Sequence, residues 1–476
     1  MRLITSSFPS AHFLCLARVS AKPTVDDLCC MEFASQICPS GPAVPWPLRL
    51  EQRLSSPEPI QIRGWCPSTW RPMQAQDGWI VRVRPRCASL SAAQWLVLAE
   101  LARTHASGQI ELTRLGNLQL RGVRESALPA LRAALVVSRL APADEQADLA
   151  PAVHCTPFYA KGDRTHALAL ALSVAVARDL SPLTLQQQDM SALPGKFDML
   201  VDDPQCHLQS LSSDLQLWPC ADGRYGLALG QSADWYGFES APAAVQAAVR
   251  IALWFARERS AQAAGRLRAL AKPIDLQACG LARASHHLEP RTQDKTTAKP
   301  LRPGALNPHG LLLGAPLGRL DAWAIQKLAA PMPEQAEIRV TPWRSLLLPN
   351  KHLDSLPARL DSWDWIRQST DVRLRVSACT GAPNCPQAHI PAQSMALRFA
   401  SSKAADRHLH ISGCAKLCAL PADATNVVFA SQDAAGQIWL HASPAEAQPS
   451  ARASIPYRPL DSDPHDIQQQ LNDLQL

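Results

Sequence analysis

The chain has 476 residues, 47% of them hydrophobic and 18% charged, with a net charge of +6. Such a length can bury core for roughly two to four domain-sized units, and no stretch reaches the ~18 apolar residues that a membrane helix needs. The positive excess is spread without a Lys/Arg run, which argues against a nucleic-acid partner and fits a polyanionic small molecule better than a polymer.

Residues 1–60 hold Cys29, Cys30 and Cys38 without apolar periodicity, followed by a Pro-rich run from Pro39 to Pro59. This is the composition of a disordered leader, or of a start codon placed too early. Phe13 to Leu16, flanked by Ser, Pro and His, is a poor signal-peptide core. The chain's 14 cysteines do not form the dense framework of a small secreted domain, so a reducing, cytoplasmic compartment with metal or redox use is expected.

From residue 61 a unit ending near 125 is expected. The alternating strand Trp79 to Arg84 leads to Ser91 as helix cap, and Ala92 to Trp95 open the helix. Strands Ile110 to Thr113 and Leu118 to Val123 follow. A larger mixed segment, 126–288, contains helix-like Ser126 to Leu140, the helix-like apolar run His166 to Ala177, strand region Leu193 to Val201 and helix-like Ala243 to Arg257. Residues 289–304 have linker composition. The second unit, 305–365, repeats the first: Leu311 to Leu313, the cap Asp321 before Ala322 and Trp323, then Ile338 to Thr341 and Leu346 to Leu348. Leu112, Thr113, Asn117 and Leu118 take the positions of Val340, Thr341, Ser345 and Leu346. A β-α-β-β unit occurring twice implies pseudo-symmetry, with a ligand site where the halves meet. The last segment, 366–476, is expected to carry strands Val372 to Val376 and His408 to Ile411, each ending just before a cysteine pair.

Cys379 and Cys385 have five residues between them, and Cys414 and Cys418 have three. Four thiolates on two tight loops suit an iron-sulfur cluster. Zinc sites prefer about two to four residues within a pair, which the first pair exceeds. Three intervening residues would place Cys414 and Cys418 on one face of a helical turn. No Gly-rich phosphate motif stands between a strand and a helix.

The five-and-three cysteine spacing and the duplicated unit resemble the sulfite and nitrite reductase superfamily. Within it, several stretches are similar to the precorrin-3B synthase family: Cys66-Pro67-Ser68 with Arg71-Pro72-Met73, Asn117 to Gly122, Lys196-Phe197, and His410 to Lys416. The resemblance implies an α+β fold of two ferredoxin-like half-domains, each followed by a larger mixed α/β domain. It implies a 4Fe-4S cluster on Cys379, Cys385, Cys414 and Cys418, with Cys418 in the position that bridges to siroheme in the reductases. Leu115 stands where sulfite reductases carry an anion-binding arginine, and Asp198 where they carry a second lysine. Both departures point away from sulfite and nitrite.

What this family does is then an expectation for the chain: oxygen-dependent hydroxylation of precorrin-3A, a polycarboxylate, with closure of a γ-lactone. Arg82, Arg84, Arg114, Asn117, Gln119, Arg121 and Lys196 are the expected substrate-binding residues, guanidinium forks being suited to carboxylates. A solvated face remains the other reading of Arg82 and Arg84. A mononuclear non-haem iron is expected to activate dioxygen, with His389 and His410 as candidate ligands and His286 and His287 as weaker ones. Electrons would come from an external donor, a reduced pyridine nucleotide acting through a separate reductase or ferredoxin. A siroheme-dependent sulfite or nitrite reductase and a non-catalytic iron-sulfur carrier stay open beside this reading.

Overall fold

A computed structural model describes residues 65–474 of the chain, apart from 231–234, 260–264, 271–273, 276, 278, 280, 282–300, 307, 358–359, 361–363, 401–407, 422, 446–452, 459–468 and 471. These fall within one unit, Pro57–Leu476. The expected leader, most of the expected linker, His286 and His287 lie outside the described residues.

The first β-α-β-β unit consists of β1 (Met73–Ala75), β2 (Gly78–Val83), β3 (Ser89–Ser91), α1 (Ala92–His105), β4 (Gln109–Leu112) and β5 (Leu118–Val123). Alternation sets its strands: Val81 and Val83 point into the core while Arg82 between them is half-buried. Ser91 caps α1 as expected, accepting from the Gln94 backbone while the Gln94 side chain accepts from Ser91. The chain continues through α2 (Leu128–Val137), α3 (Glu145–Leu149), β6 (Ala152–Cys155), α4 (Arg164–Asp179), α5 (Pro182–Gln186), β7 (Asp198–Val201), β8 (Leu215–Pro219), β9 (Tyr225–Leu229), β10 (Trp235–Phe238) and α6 (Ala241–Arg259).

The second unit repeats the first: β11 (Gly304–Leu306), β12 (Gly310–Gly314), β13 (Arg319–Asp321), α7 (Ala322–Ala329), β14 (Glu337–Val340) and β15 (Ser345–Pro349). Asp321 caps α7 through the Trp323 N–H. The duplication extends to the turns. Thr113 N–H donates to the Asn117 carbonyl as Thr341 N–H does to Ser345, and Gly116 and Arg344 both take positive φ, 70° and 53°. The last segment holds β16 (Val376–Ala378), α8 (Ala392–Ala400), β17 (Leu409–Ser412), β18 (Asn426–Gln432), β19 (Ile438–Pro444) and β20 (Ala453–Pro456). Val372–Arg375, expected as strand, is a 3-10 turn. The Asp371 carboxylate accepts the Arg373 N–H and grips its guanidinium, and this local bonding competes with a ladder.

The two small sheets exchange strands. One runs β1-β2-β5-β4-β13 and the other β11-β12-β15-β14-β3, so each is completed by a strand from the opposite copy. The halves therefore fold as one core, sealed by Trp95 on α1, which is fully buried and donates its indole N–H to the Ile338 carbonyl at 3.1 Å. The two larger sheets, β6-β7-β8-β9-β10 and β16-β17-β18-β19-β20, share one order: three parallel strands, then two antiparallel. No described helix is long and apolar enough to cross a membrane.

Candidate functional site

β16 and β17 are parallel neighbours, so the loops that leave them emerge at the same end of the sheet. Cys379 directly follows β16 and Cys414 follows β17 by two residues. The loops interlock through their backbones. His389 N–H donates to the Gly413 carbonyl at 2.8 Å, Cys379 N–H to Ile411 at 3.1 Å, and Gly413 N–H to the Cys379 sulfur at 3.0 Å. Glycine permits this approach: a Cβ on Gly413 would stand 2.5 Å from that of Ala388, and one on Gly381 would lie 2.6 Å from the Ala392 nitrogen. Cys379 is buried, Cys385 and Cys414 are half-buried, and Cys418 is exposed at the rim.

Two of the thiols, Cys414 and Cys418, feel the others. Burial raises the Cys418 thiol above its ordinary range, and the charges of Cys379, Cys414 and Cys385 raise it further; burial, then Cys385 and Cys379, do the same to Cys414. Among the described residues, no three His, Cys, Asp or Glu side chains could hold a single metal ion. The segment from Cys414 to Cys418 is a run of bends and turns rather than the expected helical turn, with Leu417 at φ 52°.

Facing α8 and the first cysteine loop, the exchanged sheet presents a cross-strand row of polar side chains. Arg82, Gln119, Glu111 and Arg319 lie opposite one another on β2, β5, β4 and β13. Arg82 donates to Gln119 at 2.7 Å, Gln119 to Glu111 at 3.3 Å, and Arg319 reaches Glu111 at 3.7 Å and bonds Gln393 on α8. Arg121, two residues along β5, grips Asp77 through two 3.0 Å bonds and donates to the Asn384 carbonyl of the first cysteine loop at 3.4 Å. It is a latch between sheet and loop. Glu111 and Arg319 were not singled out from sequence, although their register opposite Gln119 follows once the strands are exchanged.

The other candidates scatter. Arg84 is half-buried and donates to the Asp148 and Ala150 carbonyls at the end of α3, and desolvation lowers its pKa. Arg114 is exposed on the β4–β5 turn, where Asn117 is buried with its N–H on the Thr113 hydroxyl at 3.0 Å. Lys196 is exposed before β7. Asp198 is buried and shares Arg266 with Asp214, at 3.0 and 2.7 Å. Its carboxylate is therefore turned to a partner within the fold, although one guanidinium serves two carboxylates.

His410, on β17, is fully buried at the foot of the cysteine loops. Its Nδ1 lies 2.9 Å from the Ser377 hydroxyl, which is 3.0 Å from His408 Nε2, while His408 Nδ1 is 3.1 Å from Asp423. With neutral imidazoles, Asp423 accepts a hydrogen bond from His408 Nδ1–H, His408 Nε2 accepts one from the Ser377 hydroxyl, and Ser377 accepts one from His410 Nδ1–H. His410 Nε2 then carries an unpartnered lone pair, and no protein group meets it. Burial, with His408 and Arg344 nearby, pushes the His410 pKa down to about 4. His389 is half-buried and lowered by burial. Neither imidazole stands in a three-ligand set among the described residues.

Comparison with known proteins first defines the class. A family model described as the nitrite/sulfite reductase ferredoxin-like half domain matches residues 72–137. The structure of the Mycobacterium tuberculosis NirA protein superposes on 83% of this chain and 84% of its own length at TM-score 0.55 and 16% identity. The chain has the duplicated nitrite/sulfite reductase-type fold. A particular curated relative, named precorrin-3B synthase, from Sinorhizobium sp., is 44% identical over 82 residues. That match covers 17% of this chain and 18% of the relative.

Proposed function

We propose that the chain is an oxidoreductase that hydroxylates precorrin-3A with dioxygen and closes its γ-lactone, as a precorrin-3B synthase of aerobic cobalamin biosynthesis. The observation that carries this reading is the interlocking of the two cysteine loops beside a sheet face lined by Arg82, Gln119, Glu111 and Arg319. The name of the Sinorhizobium relative supports the particular substrate.

The thiols fit a 4Fe-4S cluster better than zinc. The five residues between Cys379 and Cys385 exceed the usual zinc spacing, and the two cysteine loops leave neighbouring parallel strands at one end of the sheet. Cys379, Cys385, Cys414 and Cys418 would hold it, and when bound it supplies one-electron transfer from an external donor. The Gly413 N–H already points at the Cys379 sulfur, the kind of donor that steadies a thiolate. Deprotonating the raised Cys414 and Cys418 thiols requires the positive charge of the iron, so loading should release protons.

The polar row would bind substrate carboxylates. Arg82 has only the neutral Gln119 across from it and can present its remaining N–H groups. Arg121 is engaged with Asp77 and serves to fix the cysteine loop against the sheet.

Anaerobic purification tests the reading. A cluster spectrum without siroheme bands, followed by oxygen- and reductant-dependent turnover of precorrin-3A, is the expected result. Siroheme bands would instead make the chain a sulfite or nitrite reductase, zinc without iron would end every cluster reading, and an intact cluster without turnover would leave an electron carrier. Cys418→Ser should lose iron, sulfide and activity together; full iron and sulfide in that variant would refute the ligand assignment.

A further inference from the structure

The pseudo-twofold places a cavity where the cysteine site has its counterpart. Thr156 follows β6 as Cys379 follows β16, and its N–H donates to Val201 as that of Cys379 does to Ile411. The loop after β7, with Asp202, Asp203 and Pro204, takes the place of Ser412, Gly413 and Cys414. Across from these loops lies the second exchanged sheet. Between them is a cavity of about 610 Å³, within the range of ligand pockets, that no part of the redox reading uses.

Its walls are cationic and aromatic. Lys161, Arg164, Arg339 and Lys351 line it with a single carboxylate, Asp163, beside the rings of Phe158 and Tyr159. Asp163 is already engaged as the cap of α4, accepting from Ala160 and His166, while Arg339 and Lys351 share Glu337 at 2.7 and 3.5 Å, so four cations stand against two carboxylates. Arg164 is held by the carbonyls of Cys220, Gly223 and Arg224, which fix its position and leave its charge unbalanced. Arg339 is buried, bonds Pro157, Tyr159 and Glu337, and has an Nε–H without a partner. An unmet buried donor is destabilising, and this one belongs to a residue that lines the cavity.

We propose that this cavity binds an organic polyanion with a flat ring, its carboxylate or phosphate groups on Lys161, Lys351 and the two arginines and its ring against Phe158 and Tyr159. The proposal does not rest on the redox reading.

Calorimetric titration of the full chain with pyromellitate, a ring bearing carboxylates, and with ATP, a ring bearing phosphates, tests it, with ringless citrate as control. At least one ring-bearing probe should bind more tightly than citrate, and the better of the two identifies the anionic group. Lys161→Glu combined with Lys351→Glu, both exposed positions, should weaken that binding at least tenfold, the milder Lys161→Ala by severalfold, and Arg82→Gln on the other face should leave it unchanged. Binding no better than citrate, binding indifferent to both lysine variants, or binding abolished by Arg82→Gln would each overturn the proposal.

Discussion

The two faces of the duplicated fold have the same geometry and opposite chemistry. On one, the row across the exchanged sheet reads Arg82, Gln119, Glu111, Arg319; on the other it reads Leu312, Leu347, Arg339, Ser89. The first row faces loops that carry thiols. The second faces loops tied by their own side chains: Asp203 accepts from Thr156 at 2.9 Å and from the Gln205 N–H at 2.9 Å, and meets His207 at 2.8 Å, while Phe158 packs on Leu312 and Leu347. One loop pair is finished as protein. The other is held by backbone bonds and glycine contacts, with four thiols left to be satisfied by something else.

Glycine substitutions should break this comparison most severely. At Gly381 φ is 71° and an added Cβ would lie 2.6 Å from the Ala392 nitrogen, so Gly381→Ala must shift the first cysteine loop. Strain and overpacking together should cost about 3 kcal/mol or more and remove most of the iron and sulfide. Gly162, at φ 89° on the counterpart loop, has nothing within 4 Å of an added Cβ. Gly162→Ala should cost only about 1 kcal/mol and leave iron content alone. Equal melting shifts for the pair would contradict the packing argument.

Acid comes next. Leu200 occupies on β7 the strand position that His410 holds on β17. Because the folded His410 pKa is depressed to about 4 from 6.5, the unfolded chain binds the extra proton between those values. Stability is therefore complete above about pH 6.5 and falls as pH drops toward 4, by about 3 kcal/mol for this group. His410→Leu should flatten that part of the pH profile in urea unfolding at pH 7 and 4.5. An unchanged slope would mean that His410 is not held neutral.

Much of this organisation was legible in the residues. Ser91 and Asp321 announced their helices because a cap is a local device, and the matching Thr113 and Thr341 turns announced the repeat for the same reason. The cysteine pairs were legible as loops at strand ends. What stayed hidden depends on long-range partners. Arg84 and Arg121 look like free cations in sequence, but one ends on the carbonyls at the end of α3 and the other on Asp77. Asp198 reads as a charge facing the site, but its partner Arg266 lies 68 residues away in sequence. The exchange of β3 and β13, which brings Arg319 into the polar row, has no signature in a strand of three residues.

Asp203→Asn should act on the finished face alone. Losing the charge that three donors share is expected to cost about 1–3 kcal/mol in thermal or urea melts, with iron and sulfide unchanged. A loss of iron there would mean that the two loop pairs are not independent.

The smallest structural effect is expected where the faces differ most simply, at the first position of the row. Arg82→Leu installs the residue that the second face already carries, on a half-buried strand position whose neighbours Val81 and Val83 are untouched. Its bond to Gln119 joins a cation to a neutral amide, and Gln119 keeps Glu111 as a partner, so stability should change by less than about 1 kcal/mol. Binding is another matter. If the row receives substrate carboxylates, removing one fork should raise KM for precorrin-3A about tenfold while kcat changes little, because the lost contact is present in both the ground state and the transition state. A fall in kcat at constant KM would place Arg82 in the chemical step, and no change in either would leave Arg82 as a solvated edge of the sheet.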